Sequence, residues 1–252
     1  MRRRRKLVQK IWPLAGSIAV LCALLAASAA WQRVEFADAG LEAAVREKLG
    51  NPRRPIARAE LLQISRLDAS GRQISRLEGI ENLRQLVFLD LSKNTVQDLS
   101  PLKTLRRLRE LDLSQNSLVS LEAVNFAALS GLPLRGLSLN WNAGADAKGR
   151  LVPLSDISAL GDLPELQALE ARGDEISDIG PLRGLSRLRL LDLRYNRVTD
   201  ISPLNGLVAL ALLDLGDNDV SRLSPLANLA GLSYLNLGSN RSIRDLRPIE
   251  HL

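Results

Sequence analysis

Leucines recur along this chain at offsets that return every 22 residues. Leu185, Leu188, Leu191, Leu193, Asn196, Val198, Ile201 and Leu204 come back as Leu207, Leu210, Leu213, Leu215, Asn218, Val220, Leu223 and Leu226. Self-similarity of that length marks a coil made by stacking one supersecondary unit on itself. Each unit also holds two apolar residues around one polar residue, the alternation of a short strand. The pairs are Leu67 with Ala69, Leu89 with Leu91, Leu111 with Leu113, and Leu137 with Leu139. They continue as Leu169 with Ala171, Leu191 with Leu193, Leu213 with Leu215, and Leu235 with Leu237. The pattern predicts an α/β solenoid, a right-handed coil of about eight repeats with a concave parallel β-sheet.

The polar positions of the repeat carry structural duties of their own. Asn94, Asn116, Asn142, Asn196, Asn218 and Asn240 stand three residues past the second strand leucine, where the chain turns inward. A buried amide both donates and accepts, so it can satisfy the backbone of such a turn. Arg72 replaces it in the first repeat, beside the cap, and Asp174 replaces it in the fifth. An ionised carboxylate cannot donate, which predicts a weaker or water-bridged turn at Asp174. The return segments hold Pro101, Pro181, Pro203, Pro225 and Pro248 in tight turns. Proline fixes φ and needs no amide partner there. Asp98, Asp178, Asp200 and Asp245 precede those prolines by three residues and can cap the turns.

The register breaks once: Leu111 and Leu169 stand 58 residues apart, 14 more than two periods. About four extra residues fall in Glu122 to Gly131, a stretch able to form an outer helix, and about ten near 143–153. Such insertions leave a coil as loops. Before the repeats, residues 35–50 read as one amphipathic helix with Leu41, Ala44, Val45 and Leu49 on one face. Asp38 suits its start, Gly50 its left-handed stop, and Glu42 can pair with Arg46 across one turn. A helix of this kind covers the open apolar side of a first repeat. The last unit ends at Leu252 with no matching cap, so its edge stays open or is covered by another copy or a partner.

Residues 1–30 look like an export segment. Arg2, Arg3, Arg4, Arg5, Lys6 and Lys10 precede an uncharged run from Ile11 to Gln32. Two readings stay open: a signal peptide cleaved after Ala27-Ser28-Ala29, or an uncleaved anchor through residues 11–32. Either places the repeats outside the cytoplasm, periplasmic or extracellular. The division expected is therefore 1–30 signal or anchor, 31–60 cap and linker, and 61–252 repeats.

Charge removes one function class. Six of the 34 basic side chains lie before residue 11, leaving 28 basic against 28 acidic, and a neutral domain has no general pull on nucleic acid. Cys22 is the only cysteine and His251 the only histidine, so nucleophilic and acid–base catalysis lack their usual groups. The run Asn140-Trp141-Asn142 with Asp146 lacks the carboxylates of a calcium loop. No enzyme activity, cofactor or metal is expected.

The unit Asn94-Thr95-Val96-Gln97-Asp98-Leu99-Ser100-Pro101-Leu102 resembles the SDS22-like class of leucine-rich repeats, found in bacterial internalins behind a small helical cap. The resemblance covers residues 35–252 and implies a leucine-rich repeat fold that binds a protein on its concave face. The immunoglobulin-like segment that follows the repeats in internalins is not evident.

Period-two alternation sends Asp68, Asp90, Asp112, Ser138, Glu170, Asp192, Asp214 and Asn236 to the concave surface as a largely acidic central column. That column reads either as the repeat's ordinary filler or as a field for a basic partner. Phe88 and Tyr234 lie just before it, Trp141 and Tyr195 just beyond it, with Arg172 and Arg194 alongside. Exposed aromatics beside arginines make binding hot spots. The partner-binding set expected is Phe88, Asp90, Asp112, Trp141, Glu170, Arg172, Asp192, Arg194, Tyr195, Asp214 and Tyr234. Its weight falls on the fifth to eighth repeats, with a protein partner first and an envelope glycan second.

Overall fold

The computed structural model describes residues 32–118, 126–145 and 148–252. Residues 1–31, where the export reading falls, lie outside that set, as does Asp146.

The first described helix is α1, Ala39–Leu49. Asp38 starts it by accepting from the amides of Gly40 and Leu41 at 2.9 and 3.2 Å, and Gly50 ends it at φ 59°. Glu42 and Arg46 pair at 2.6 Å across one turn. Leu41, Ala44 and Val45 are buried against the first repeat. The cap is more than that helix. Arg33 bridges Ala57 in antiparallel fashion, and a single turn α2, Arg58–Leu61, follows. Asp38 also ties cap to coil, since its second oxygen accepts from the Ser75 amide at 3.0 Å. Burial disfavours its charge, yet the amides of Ser75, Leu41, Arg76 and Gly40 together hold it below the ordinary carboxylate range.

Gly40 sets how closely α1 sits on the first repeat. A Cβ there would stand 2.3 Å from the carbonyl oxygen of Arg72, a backbone atom that cannot swing away. Gly40→Ala is therefore expected to push the cap off and cost about 1–3 kcal/mol. Thermal unfolding followed by circular dichroism checks this; an unchanged midpoint would mean the helix can slide.

Eight three-residue strands form the parallel sheet. They are β1 Arg66–Asp68, β2 Phe88–Asp90, β3 Glu110–Asp112, β4 Gly136–Ser138, β7 Ala168–Glu170, β8 Leu190–Asp192, β9 Leu212–Asp214 and β10 Tyr234–Asn236. Each pairs only with the strands of adjacent repeats, and the order is β1-β2-β3-β4-β7-β8-β9-β10. Register follows the leucines: Leu67 faces Leu89, Leu89 faces Leu111, Leu191 faces Leu213. The central leucines of β1 to β9 are buried, whereas Leu235 and Leu237 of the last repeat are only partly so. The expected solenoid is the observed fold.

The two extra stretches behave differently from expectation. Between β4 and β7 the chain makes an antiparallel hairpin, β5 Ala143–Ala145 with β6 Leu151–Pro153, where a loop was expected. Alternate backbone groups of this excursion pair with each other rather than with the main ladder, which satisfies them without breaking β4 from β7. The outer helix expected around Glu122 to Gly131 is, in its described part, a 3₁₀ turn at Phe126–Leu129 that buries both terminal side chains. Residues 119–125 lie outside the described set. The proline returns are 3₁₀ turns as well, and Asp98, Asp178, Asp200 and Asp245 each accept the amide two residues on.

A ladder of asparagines runs beneath the sheet edge. The Asn196 side chain accepts from the Ile176 amide at 3.0 Å and donates to the carbonyls of Ala171 and Leu193 at 2.7 and 2.9 Å. Asn94, Asn116, Asn142, Asn218 and Asn240 make the same kind of contacts with their own and the preceding repeat. Each amide thus binds carbonyls that neighbouring turns leave over. Arg72 lacks this function; its guanidinium instead reaches Glu47 of α1 at 2.6 Å.

Candidate functional site on the concave sheet

The central acidic column does structural work first. Asp90, Asp112, Asp192 and Asp214 each accept the amide two residues on, at 2.8, 2.8, 3.1 and 2.9 Å, closing the turn that follows the strand. Short carboxylates favour such local bonds. Two of them are buried. Asp192 and Asp214 are 4% and 6% exposed, a correction to their expected place on the contact surface. Arg172 folds over Asp192 with Nε and one terminal nitrogen each 2.7 Å from the same oxygen. Asn236 donates to both oxygens of Asp214 at 2.9 and 3.1 Å. Burial raises the Asp192 carboxyl above its ordinary range, with the Asp214 charge adding to it; the Arg194 amide and Arg172 oppose the shift. Arg172 is accordingly engaged with its own sheet.

The other half of the column stays open. Asp90, Asp112 and Glu170 are half-buried and Glu110 is exposed. No ion pair among the described residues reaches any of the four. Three of them, Glu110, Asp112 and Glu170, border a depression of about 290 Å³ with Phe88 on its rim. Gly136, Ser138 and Ala168 make its floor. The hollow exists because β4 and β7 carry small residues where neighbouring repeats carry larger ones. Glu110, Gly136 and Ala168 were outside the expected set, although aligning the repeats would have exposed the run of small residues. Phe88 is itself capped by Arg66, whose guanidinium carbon lies 4.0 Å from the ring centre.

The aromatic part of the face comes from one special position per repeat. The residue before each rung, Asp174 included, is left-handed: Lys93, Gln115, Trp141, Gly173, Tyr195, Asp217 and Ser239 have φ from 54° to 70°. Because every repeat adopts it, this conformation belongs to the coil rather than to any one site. It lines these side chains up along the sheet edge. Gly173 has no side chain, and the Trp141 indole lies over it: a Cβ there would meet the ring at 1.9 Å. Trp141 thereby reaches Tyr195, two repeats on, with ring centres 5.7 Å apart at 37°. Arg194 lies over the Tyr195 ring, 4.4 Å from its centre, held by Asp217 at 3.1 Å. Trp141 and Tyr195 remain 50% and 42% exposed. Tyr234, 48% exposed, stands apart on the last strand, its hydroxyl 3.5 Å from Asp214. Gly173 and Asp217 complete a patch of which the sequence alone suggested only Trp141, Arg194 and Tyr195.

Known proteins repeat this architecture. The family pattern described as leucine-rich repeats (2 copies) matches residues 84–142. The crystal structure of internalin C2 from Listeria monocytogenes is similar at 33% identity over 86% of this chain and 90% of that one, with a TM-score of 0.74. This chain belongs to the internalin-type leucine-rich repeat proteins. A leucine-rich repeat protein of Leptospira interrogans shares the fold at 21% identity, covering 74% of this chain and 49% of that one, with a TM-score of 0.61. No curated protein sequence matches. An internalin-type coil of this kind is a protein-interaction module. Among the described residues, no group of three His, Cys, Asp or Glu side chains could hold a metal ion, and no helix is long and apolar enough to cross a membrane. His251 faces the Ala227 carbonyl at 2.7 Å, away from the sheet.

Proposed function

We propose that this internalin-type protein is an exported, non-catalytic module that captures a protein partner on its concave face. The Trp141–Tyr195 patch is the anchor, and the depression beside Phe88 and Gly136 supplies negative charge for a basic group of that partner. The observation that carries this reading is the contact between two half-exposed aromatic rings with Arg194 stacked on Tyr195. Rigid aromatics bury large areas at little entropic cost, and with arginine they dominate interface energies. The four carboxylates at Asp90, Glu110, Asp112 and Glu170, none of them in an ion pair among the described residues, favour a basic partner by complementarity. Export rests on the basic start and the uncharged run before residue 32.

The test is crosslinking in cells, then capture and mass spectrometry, comparing wild type with Trp141→Ala plus Tyr195→Ala. One protein should fall at least about tenfold in the variant, matching the loss of a hot-spot residue. Equal recovery of every protein would move the site away from this patch. The open indole face of Trp141 also favours a second reading, an envelope glycan stacked on the ring. Pull-down on insoluble cell-wall polymer with the same pair of proteins separates the two.

A further inference from the structure

The rung beneath the aromatic patch is the one rung of the ladder from Asn94 to Asn240 that is an acid. Asp174 is 5% exposed. Its Oδ1 accepts from the Asn142 amide at 2.8 Å, as an asparagine oxygen would. Its Oδ2 occupies the place of the donating amide nitrogen and has no partner. By the register of the other rungs, that atom faces the carbonyl oxygens of Ala171 and Leu139, as Asn196 faces those of Leu193 and Ala171. Oxygen against oxygen repels unless one carries a proton. A carboxylic acid fits this site and a carboxylate does not.

No charged side chain drives that choice. The preceding rung offers Asn142, the following one Asn196, and the hairpin's return offers Leu154, whose carbonyl accepts the Glu175 amide at 2.9 Å. The chain neighbours Arg172 and Glu175 are paired outward, with Asp192 and Arg197. Burial alone pushes the carboxyl up to about 8, against the Asn142 amide, which pulls it down. Burial thus favours the protonated form over the carboxylate at this rung. Its place matters. Asp174 directly follows Gly173, on which Trp141 lies, and it holds the amide that directly follows Trp141.

We propose that Asp174 is a proton-controlled latch on the Trp141–Tyr195 patch: protonated, it closes the turn under Trp141; ionised, it loosens that turn and disperses the two rings. The chemistry is loss of one proton to solvent, with no bond otherwise made or broken. The role of the patch in capture rests on the function proposed above, but the latch itself does not. Because the folded carboxyl binds its proton more tightly than the unfolded one, Asp174 favours folding fully below about pH 4 and loses that effect as pH rises through about 8.

The test uses the full chain without a partner. Trp12 and Trp31 also fluoresce, so the Trp141 signal is the difference between wild type and Trp141→Phe. That signal should titrate once near pH 8 in wild type and stay flat in Asp174→Asn, which restores the amide of the other rungs. Between about pH 6 and pH 9 the wild-type Tm should also fall by roughly 5 °C more than that of the variant. A flat wild-type signal, or equal titration in both proteins, overturns the latch. Neither readout needs a ligand, so failure here leaves the concave-face reading standing, and failure of capture leaves the latch standing.

Discussion

Asn196→Ala is expected to lower the stability of the coil by about 2–5 kcal/mol. The wild-type amide satisfies the Ile176 amide and the carbonyls of Ala171 and Leu193, all in the buried interior between two repeats. Truncation orphans them together, and each buried polar group left unmatched costs about 1–3 kcal/mol. The methyl group of alanine is also too small to fill the site. For a chain of this length the loss corresponds to a fall in Tm of roughly 5–15 °C, read by circular dichroism. Repeats transmit such damage, because each turn is stable only against its neighbours. An unchanged Tm would show that the amide is not what holds successive turns together.

Gly173→Ala should act on the surface more than on the core. The residue sits at φ +70°, where a side chain costs about 1–2 kcal/mol. Its new Cβ would fall 1.9 Å from the Trp141 ring, so the half-exposed indole must swing away. The 5.7 Å contact with Tyr195 would then be lost. The expected result is a Tm lowered by only roughly 3–8 °C, a changed near-ultraviolet signal from Trp141, and a drop in partner capture about as deep as that of Trp141→Ala. Capture at the wild-type level with a displaced indole would show that the two rings act separately. The comparison matters because Gly173 has no side chain of its own to offer a partner. Its contribution is the absence of a side chain between two aromatics.

Where sequence reasoning succeeded, the interactions were local or strictly periodic. Leu191 and Leu213 align because strands of adjacent turns must pair, and a one-residue slip would expose both. Asp38 and Gly50 bound α1 through contacts within a few residues. The prolines and aspartates of the returns make turns by bonds spanning two residues. Where it fell short, the outcome hung on neighbours in other repeats. Asp90 and Asp192 hold the same place in the unit, yet Arg172 covers only the second. The hairpin of Ala143–Ala145 with Leu151–Pro153 carries no clear alternation, so nothing in its composition separated strand from loop.

The chain by itself determined the solenoid, its register, its inward leucines and its amide rungs, since a repeated pattern leaves one way to bury a continuous stripe. Only the tertiary structure decided which carboxylates stay open, that Trp141 meets Tyr195 across Gly173, and that burial raises the Asp174 carboxyl. Those properties arise from side chains 20 to 54 residues apart brought to one place by stacking, and burial and partner geometry there are set by all of them at once.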